Sequence, residues 1–269
     1  MDDFPSLAEY HRFADFIMRK ARHIMDAESQ SFINKVIDTT AKRVRILPKG
    51  TTLWRSQLDY TLRTESITDE NGKEVDTYET EGPHPPDRMM PRRDRATEGR
   101  VNPKGIPCLY LSDDRDTAMT EARPWIGSYV TVSQFQVLRN LKVVDCTLDS
   151  KPVVSATILG EQPKPAVVEA FAWRAINNAF SKPVTRNDDI AEYAPTQVLA
   201  EAFRSAGYEG IVYGSRLGKG KTVALFDTQA AKQINAFLFQ LEKLNPEYTE
   251  VANPYFLGDK ALSGETGQA

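Results

Sequence analysis

Short apolar runs that alternate with segments of helical spacing constrain the fold of this chain more than any other feature. Around 167–176 and 198–203, apolar residues recur at intervals of three and four, which is typical of amphipathic helices. Runs rich in Val, Ile, Leu, Tyr and Phe are typical of strands. The pattern therefore predicts a mixed α+β domain. The predicted strands are 52–58, 106–111, 128–137, 141–146, 211–213 and 223–226.

The composition indicates a protein with a hydrophobic core. Of 269 residues, 41% are hydrophobic, which is too many for a disordered chain. The net charge of −3 argues against direct nucleic-acid binding but leaves room for a small anion held by arginines. Cys108 and Cys146 are too few for a disulfide framework or a thiolate metal site. With no secretion signal and no run near ~20 apolar residues, we expect a cytoplasmic protein without a membrane partner.

Residues 1–48 predict a helical N-terminal extension made of two helices. Ser6 and Glu9 have the spacing of a capping box, in which a hydroxyl and a carboxylate each satisfy a backbone amide. Apolar residues then recur at helical intervals as far as Ile37, and Pro48 ends the pattern. One apolar stripe cannot bury itself, so it must pack on the rest of the chain or on a second copy, as in a homo-oligomer.

Residues 49–245 form the predicted main domain, which a 60–98 insertion loop interrupts, and 246–269 form a polar C-terminal tail. The insertion lacks apolar periodicity, with an acidic first half and a second half rich in arginine and proline. A loop of this length is functional or disordered. We expect a solvated insertion, and its arginine-rich end is a candidate anion site.

The local sequence context argues against three common kinds of site. Residues 215–222 nearly match a phosphate-binding P-loop, but the first glycine is Ser215 and a strand follows where the motif needs a helix. The three histidines share no ligand spacing, so no metal is expected, and none lies in the α+β core where a Ser-His-Asp hydrolase needs its base. These histidines are His11, His23 and His84.

Three isolated residues each have an ordinary and a functional interpretation. Arg55 beside Trp54 is either a strand-end arginine reaching solvent or a clamp for phosphate. Glu121 on a short helix is either a solvated carboxylate or a catalytic one, and Ser215 is either a turn serine or a site residue. Taken singly, none of the three indicates a function.

Three ordered blocks together carry a resemblance to a known family. They are Leu53-Trp54-Arg55, residues 99–112 followed by Glu121, and residues 210–215, with Pro195-Thr196-Gln197 before the last block. These blocks resemble the arginine, glutamate and serine blocks of the RES family of toxin enzymes. Departures from the family pattern are Gly214, where proline is frequent, and Thr222, where asparagine is frequent.

The resemblance implies a mixed-sheet fold related to ADP-ribosyltransferases, with NAD bound as substrate in a cleft between sheet layers. It implies cleavage of the nicotinamide–ribose bond by hydrolysis, or by phosphorolysis with inorganic phosphate as co-substrate, without a metal. It also implies an Xre-type antitoxin as partner. Some members are reported to transfer ADP-ribose to a protein, and a degenerate interaction module is the non-enzymatic alternative.

The same resemblance suggests roles for individual residues. Glu121 would stabilise the positive charge that develops on the ribose, and Arg55 would hold the pyrophosphate. Ser215 would form a hydrogen bond with phosphate or ribose rather than act as a nucleophile, because no base is evident beside it. Four further residues are expected to bind NAD: Arg100, Asn102, Tyr110 and Thr222.

Overall fold

The computed structural model describes residues 4–148, 164–182, 190–245 and 249. Its helices are α1 Leu7–Arg19, α2 Ala27–Thr39, α3 Pro86–Met89, α4 Arg115–Glu121, α5 Pro165–Ser181 and α6 Ala194–Ser205. Its strands are β1 Val44–Leu47, β2 Thr52–Leu58, β3 Thr61–Thr68, β4 Glu74–Gly82, β5 Leu109–Ser112, β6 Tyr129–Val137, β7 Leu141–Asp145, β8 Gly210–Gly214, β9 Lys221–Leu225 and β10 Ala231–Gln240.

An eight-stranded mixed sheet organises the fold, and it confirms the α+β prediction. Its strand order is β1-β7-β8-β9-β5-β2-β6-β10, in which β7 and β8 are parallel and the other neighbours are antiparallel. The parallel pair is connected through a segment that contains α5 and α6, as a parallel crossover requires.

The ladder between β2 and β5 is much shorter than the others. These strands pair at a single position, Trp54 with Ser112, whereas every other neighbouring pair in this sheet has at least three matched positions. Backbone groups beside that position have no strand partner across this gap and must find other ones. The sheet is therefore split at this point.

Two buried clusters cover the two faces of the sheet. One contains side chains of four helices, including Phe13, Phe32, Trp173 and Phe203, packed towards Tyr213 of β8. The other joins residues from both halves of the sheet, among them Leu53, Phe135, Val143 and Val212, which shows that the sheet curves around a second core.

The N-terminal helices belong to the main body of the protein. The capping box of α1 forms as predicted, with the Glu9 amide donating to Ser6 Oγ. α1 contacts α5 and α6, and α2 contacts α6, so their stripes pack on the rest of the chain. The predicted helical boundary at residue 48 is wrong, because Val44–Leu47 forms β1 and pairs with β7 in the main sheet.

The prediction of a 60–98 insertion loop is also wrong. β3 and β4 form a separate two-stranded hairpin whose residues are mostly exposed on both faces, so no apolar alternation marks the strands. Asn71-Gly72 at its turn is a hairpin signal, and Gly72 has a φ of +75°. His84 anchors the base of the hairpin, with its ring Nδ1 2.8 Å from Thr61 Oγ1.

The last strand, β10, is not predicted from the sequence, and it pairs along the whole length of β6. The predicted C-terminal tail, 246–269, lies outside the described residues except for Thr249. Within the described part of the chain, no helix combines the length and the apolar character that a membrane span needs.

Candidate active site

A cavity of about 400 Å³ lies at the split between β2 and β5. This volume falls within the usual range of small-molecule sites, about 300–1,000 Å³. We call it the central cavity. It is lined by Trp54, Arg55 and Ser56 of β2, by Tyr110, Leu111 and Ser112 of β5, by Ala118 and Glu121 of α4, and by Gly99, Arg100, Ala122, Arg123, Tyr193, Tyr213 and Thr222.

Glu121 and Ser215 form a hydrogen-bonded pair although 94 residues separate them in the chain. Glu121 is the last residue of α4 and lines the cavity, while Ser215 directly follows β8. Ser215 Oγ donates to Glu121 Oε1 at 2.6 Å and accepts from the Leu217 amide at 3.0 Å. The expectation that Ser215 has no basic group beside it is therefore wrong, because it directly contacts this carboxylate.

The pair depends on close packing between α4 and the loop that follows Ser215. Asp114 caps α4 by accepting from the Thr117 amide at 2.7 Å, and Thr117 Oγ1 accepts from the Gly220 amide at 2.9 Å. A Cβ on Gly218 would lie 2.9 Å from Thr117 Cα, and one on Gly220 would lie 2.6 Å from Asp114 Cβ. Glycine at these two positions allows the loop to pack closely against α4. This packing explains why the sequence resembles a P-loop although no phosphate site is needed.

Arg55 occupies the gap between the parted strands. Its Nη1 donates to the Tyr110 carbonyl oxygen at 3.0 Å, a group that β2 does not bind in the ladder. Its Nε is buried without a hydrogen-bond partner among the described residues. Burial lowers the pKa of the guanidinium, but arginine stays protonated in proteins. Arg55 therefore presents a partly buried positive charge with an unused, buried Nε donor, which an anionic ligand would satisfy.

Tyr110 is held by a network of polar groups. Its hydroxyl donates to Asn102 Oδ1 at 2.6 Å and accepts from the Val101 amide at 3.1 Å. Asn102 Nδ2 donates to the Thr97 carbonyl at 3.0 Å. Burial raises the pKa of Tyr110 well above its usual value, so the hydroxyl stays protonated. Gly99 must lack a side chain, since a Cβ there would lie 2.6 Å from the Tyr110 hydroxyl.

The other expected NAD-binding residues differ in their positions. Arg100 and Thr222 line the central cavity, and Thr222 is paired with Ser112 on one side and Tyr213 on the other. Asn102 lies outside this cavity and lines a smaller neighbouring one, and it contacts the site through Tyr110. Asn102 therefore contacts a residue of the central cavity, Tyr110, and does not line that cavity itself.

The sequence reasoning missed two tyrosines of the cavity, Tyr193 and Tyr213. Tyr213 is in the third motif block, two residues before Ser215, so strand alternation could have placed it in the same region. Burial raises its pKa, and the nearby Arg100 charge opposes this shift. Gln197, in the Pro195-Thr196-Gln197 block, also supports the site, since its Nε2 donates to the Gly99 carbonyl at 2.9 Å.

The central cavity thus brings together five of the expected site residues, Arg55, Arg100, Tyr110, Glu121 and Thr222. Ser215 is connected to the cavity by its hydrogen bond to Glu121. Within the described ranges, no group of three His, Cys, Asp or Glu side chains is arranged to hold a metal ion. The arrangement offers a fixed carboxylate, a partly buried cation and aromatic surfaces around one ligand-sized space.

Comparison with known proteins gives a family match and two remote structural likenesses. The RES domain family model matches residues 78–242, which include Glu121 and Ser215 and begin after Arg55. A crystal structure of the M. tuberculosis MbcT-MbcA toxin-antitoxin complex aligns at 14% identity over 77% of this chain and 96% of that chain, with a TM-score of 0.36. A crystal structure of an anti-CRISPR protein aligns at 12% identity over 70% and 100%, with a TM-score of 0.26. Curated proteins give no match.

Proposed function

Because the chain belongs to the RES domain family, we propose that it is a toxin-type enzyme that consumes NAD by cleaving the bond between nicotinamide and ribose. One observation carries the proposal. Glu121, fixed by Ser215 at 2.6 Å, lines the same cavity as the partly buried cation Arg55 and the aromatic ring of Tyr110. A dinucleotide needs these three chemistries together: a carboxylate for ribose, a cation for pyrophosphate and an aromatic surface for a base.

The carboxylate of Glu121 suits the charge that the reaction develops. When the C1′–N bond breaks, its electron pair leaves with nicotinamide, and positive charge spreads over C1′ and the ring oxygen of the ribose. A fixed carboxylate stabilises such an oxocarbenium-like state. Nicotinamide departs as a neutral molecule, so no strong general acid is required. Water or inorganic phosphate then forms the new bond at C1′, and with water one proton is released.

Arg55 suits the pyrophosphate of the same substrate. Its Nε lacks a hydrogen-bond partner within the described structure, and its guanidinium is held at the gap in the sheet by the Tyr110 carbonyl. Charge-assisted hydrogen bonds from a guanidinium to phosphate are strong and directional. Arg100 and Thr222 would make further contacts, and Tyr110 would stack on the nicotinamide end or bond to it.

The family resemblance also supports an Xre-type antitoxin as partner and the cytoplasm as the place of action. Water, inorganic phosphate and a protein side chain are the three acceptors that the same cleavage chemistry allows. Their products differ, so one incubation separates them. Hydrolysis gives ADP-ribose, phosphorolysis gives ADP-ribose 1-phosphate, and protein modification leaves the label on a polypeptide.

The test is incubation of the protein with labelled NAD, with and without phosphate, followed by chromatography and protein mass spectrometry. We expect release of nicotinamide, and a loss of about 10²–10³-fold in rate for Glu121→Gln and for Arg55→Gln, as when one electrostatic contact of a transition state is removed. Glu70→Gln, in the exposed hairpin turn, is the matched control. A folded Glu121→Gln protein with the wild-type rate would refute the assignment, and a wild-type protein that releases no nicotinamide would favour an interaction module.

A further inference from the structure

A second cavity, of about 270 Å³, adjoins the central one, and both are lined by Arg55 and Tyr110. We call it the arginine cavity, because Arg88, Arg92 and Arg95 also line it. Among the described residues that line it, none is a carboxylate. These arginines come from the segment after the β3–β4 hairpin, so they stand against the site only through the tertiary fold.

The charges in this cavity are not balanced by the protein. Arg92 pairs with Asp94, with Nη2 2.9 Å from Oδ2, and Arg95 Nε lies 3.8 Å from the same carboxylate oxygen. One carboxylate therefore serves two guanidiniums. Arg88 makes no ion pair within the described structure, and the buried Nε of Arg55 has no hydrogen-bond partner there. The side chains of Arg92 and Arg95 are 55% and 76% exposed, so solvent screens these charges, and an anion would be held here by charge-assisted hydrogen bonds.

The position of the arginine cavity indicates which part of a dinucleotide reaches it. With the nicotinamide ribose at Glu121 and the pyrophosphate at Arg55, the adenosine half extends past Arg55, where the two cavities meet. Met90 and Pro91 line the arginine cavity beside the guanidiniums and offer apolar contact to adenine. An arginine near the adenosine ribose is the usual device for accommodating a 2′-phosphate, which distinguishes NADP from NAD.

We infer that the arginine cavity binds the 2′-phosphate of NADP, and that this protein prefers NADP to NAD as the dinucleotide it cleaves. The inference rests on the proposed function, because the cleaved ribose at Glu121 sets the direction of the substrate. Arg88 and Arg95 are the specificity-determining residues, since Arg92 is engaged with Asp94 through two nitrogen–oxygen contacts. The bond that breaks and the acceptors are those of the proposed reaction.

The kinetic test compares nicotinamide release from NADP and from NAD. For the wild-type protein we expect kcat/KM to be at least about tenfold higher with NADP, as for one charged hydrogen bond. In the Arg88→Gln/Arg95→Gln protein we expect this preference to disappear, with the NAD rate within about twofold of wild type. Arg22→Gln, an exposed arginine between α1 and α2, is the matched control and keeps the preference.

A binding measurement tests the same cavity without turnover. Calorimetry with adenosine 2′,5′-bisphosphate and with AMP uses the Glu121→Gln protein, whose fold is checked by circular dichroism. We expect the bisphosphate to bind at least about tenfold more tightly than AMP. We expect the difference to vanish when the Arg88→Gln and Arg95→Gln changes are added.

The outcomes separate the inference from the proposed function. Equal or faster cleavage of NAD, or a preference that survives in the Arg88→Gln/Arg95→Gln protein, overturns the inference and leaves the proposed function standing. Phosphate-stimulated NAD cleavage that these two changes abolish also overturns it, because the cavity then holds inorganic phosphate. If neither dinucleotide is cleaved, the proposed function fails, and the bisphosphate binding alone decides whether the cavity is a 2′-phosphate site.

Discussion

The Ser215 hydroxyl has a defined orientation, because its oxygen accepts a hydrogen bond from the Leu217 amide and its O–H group donates one to Glu121. A serine that donates in this way holds a carboxylate in place. The same atoms would suit a nucleophile and its base. However, Glu121 lines the central cavity and Ser215 does not, so Ser215 would act on a ligand through Glu121. We therefore expect Ser215 to be a positioning residue.

Replacing Ser215 tests that role. In Ser215→Ala the Glu121 carboxylate loses its bond, so we expect kcat to fall by about 10–100-fold while KM changes by less than about threefold. Ser215→Thr keeps a hydroxyl and should recover most of the rate, and Ser66→Ala in the exposed hairpin should have no effect. Steady-state NAD turnover measures both constants. A trapped covalent adduct on Ser215 would contradict this role.

Gly214 shows why a departure from a family pattern can be neutral. Where proline is frequent in the family, the amide of this glycine donates to Asn177 Oδ1 at 3.0 Å, a bond that proline cannot make. Asn177 lies on α5, so the bond ties the end of β8 to a helix of the core. Gly214, the residue before Ser215, is therefore held by a hydrogen bond to Asn177.

At the scale of elements, the contact between α4 and the 215–220 loop brings Glu121 and Ser215 together. The loop approaches the backbone of Thr117 through Gly218, where a Cβ would lie 2.9 Å from Thr117 Cα. The amide of Lys221 adds a bond to Asp113 Oδ1 at 2.6 Å. The position of Ser215 relative to Glu121 thus depends on the absence of a side chain at Gly218 and at Gly220.

Gly218→Ala tests this contact. The added methyl group would meet Thr117 Cα at 2.9 Å, where backbone cannot yield easily, so we expect a loss of about 1–3 kcal/mol in the free energy of unfolding. We also expect reduced NAD turnover, because Ser215 is displaced from Glu121. Gly214→Ala is the control, since its Cβ would have ordinary contacts, the nearest at 3.5 Å. Chemical denaturation and turnover are the measurements, and equal stability of the two proteins would refute the argument.

The elements that the sequence failed to predict share a physical cause. β3 and β4 are exposed on most positions of both faces, and β10 has a mixed pattern of exposure, so none of the three has strict apolar alternation. β1 is a four-residue edge strand directly after a helical stretch. Such strands form because a neighbouring strand offers hydrogen bonds, and this information is not local.

At the scale of the whole molecule, the N-terminal helices and the sheet share one core. Phe13 and Phe32 of the first two helices are in the same buried cluster as Trp173 and Tyr213. Trp173 Nε1 also donates to Thr39 Oγ1 at 3.0 Å, which links α5 to the end of α2. We therefore expect the helices and the sheet to unfold together.

Phe32→Ala tests this cooperativity. Phe32 is 1% exposed, and its truncation should lower the free energy of unfolding by about 3–5 kcal/mol. Urea denaturation followed by both tryptophan fluorescence and circular dichroism should give a single transition in the wild type and in the variant. Two separate transitions, with only the first shifted, would mean that residues 1–48 are an independent extension.

Alkaline pH should weaken the same core. Burial raises the pKa of Tyr10 to about 12 and that of Cys108 to about 12, from ordinary values of 10.0 and 9.0. Above about pH 9 the unfolded chain loses these protons first, so the free energy of unfolding falls as the pH rises towards 12. We expect the urea midpoint to decrease from pH 8.5 to 10.5, and to decrease less in Cys108→Ala. A midpoint that stays constant would contradict the shifts.

The sequence alone determined the α+β class, the capping box of α1, the rejection of the P-loop and the family blocks that contain Arg55, Glu121 and Ser215. These features are local, because periodicity, caps and motifs depend on residues close together in the chain. The tertiary structure alone decided that β2 and β5 part beside Trp54, that Ser215 donates to Glu121, and that Asn102 supports Tyr110. It also set the arginines of the 88–95 segment against Arg55. Most of those contacts join residues far apart in the chain, and packing of the sheet and helices fixes their distances.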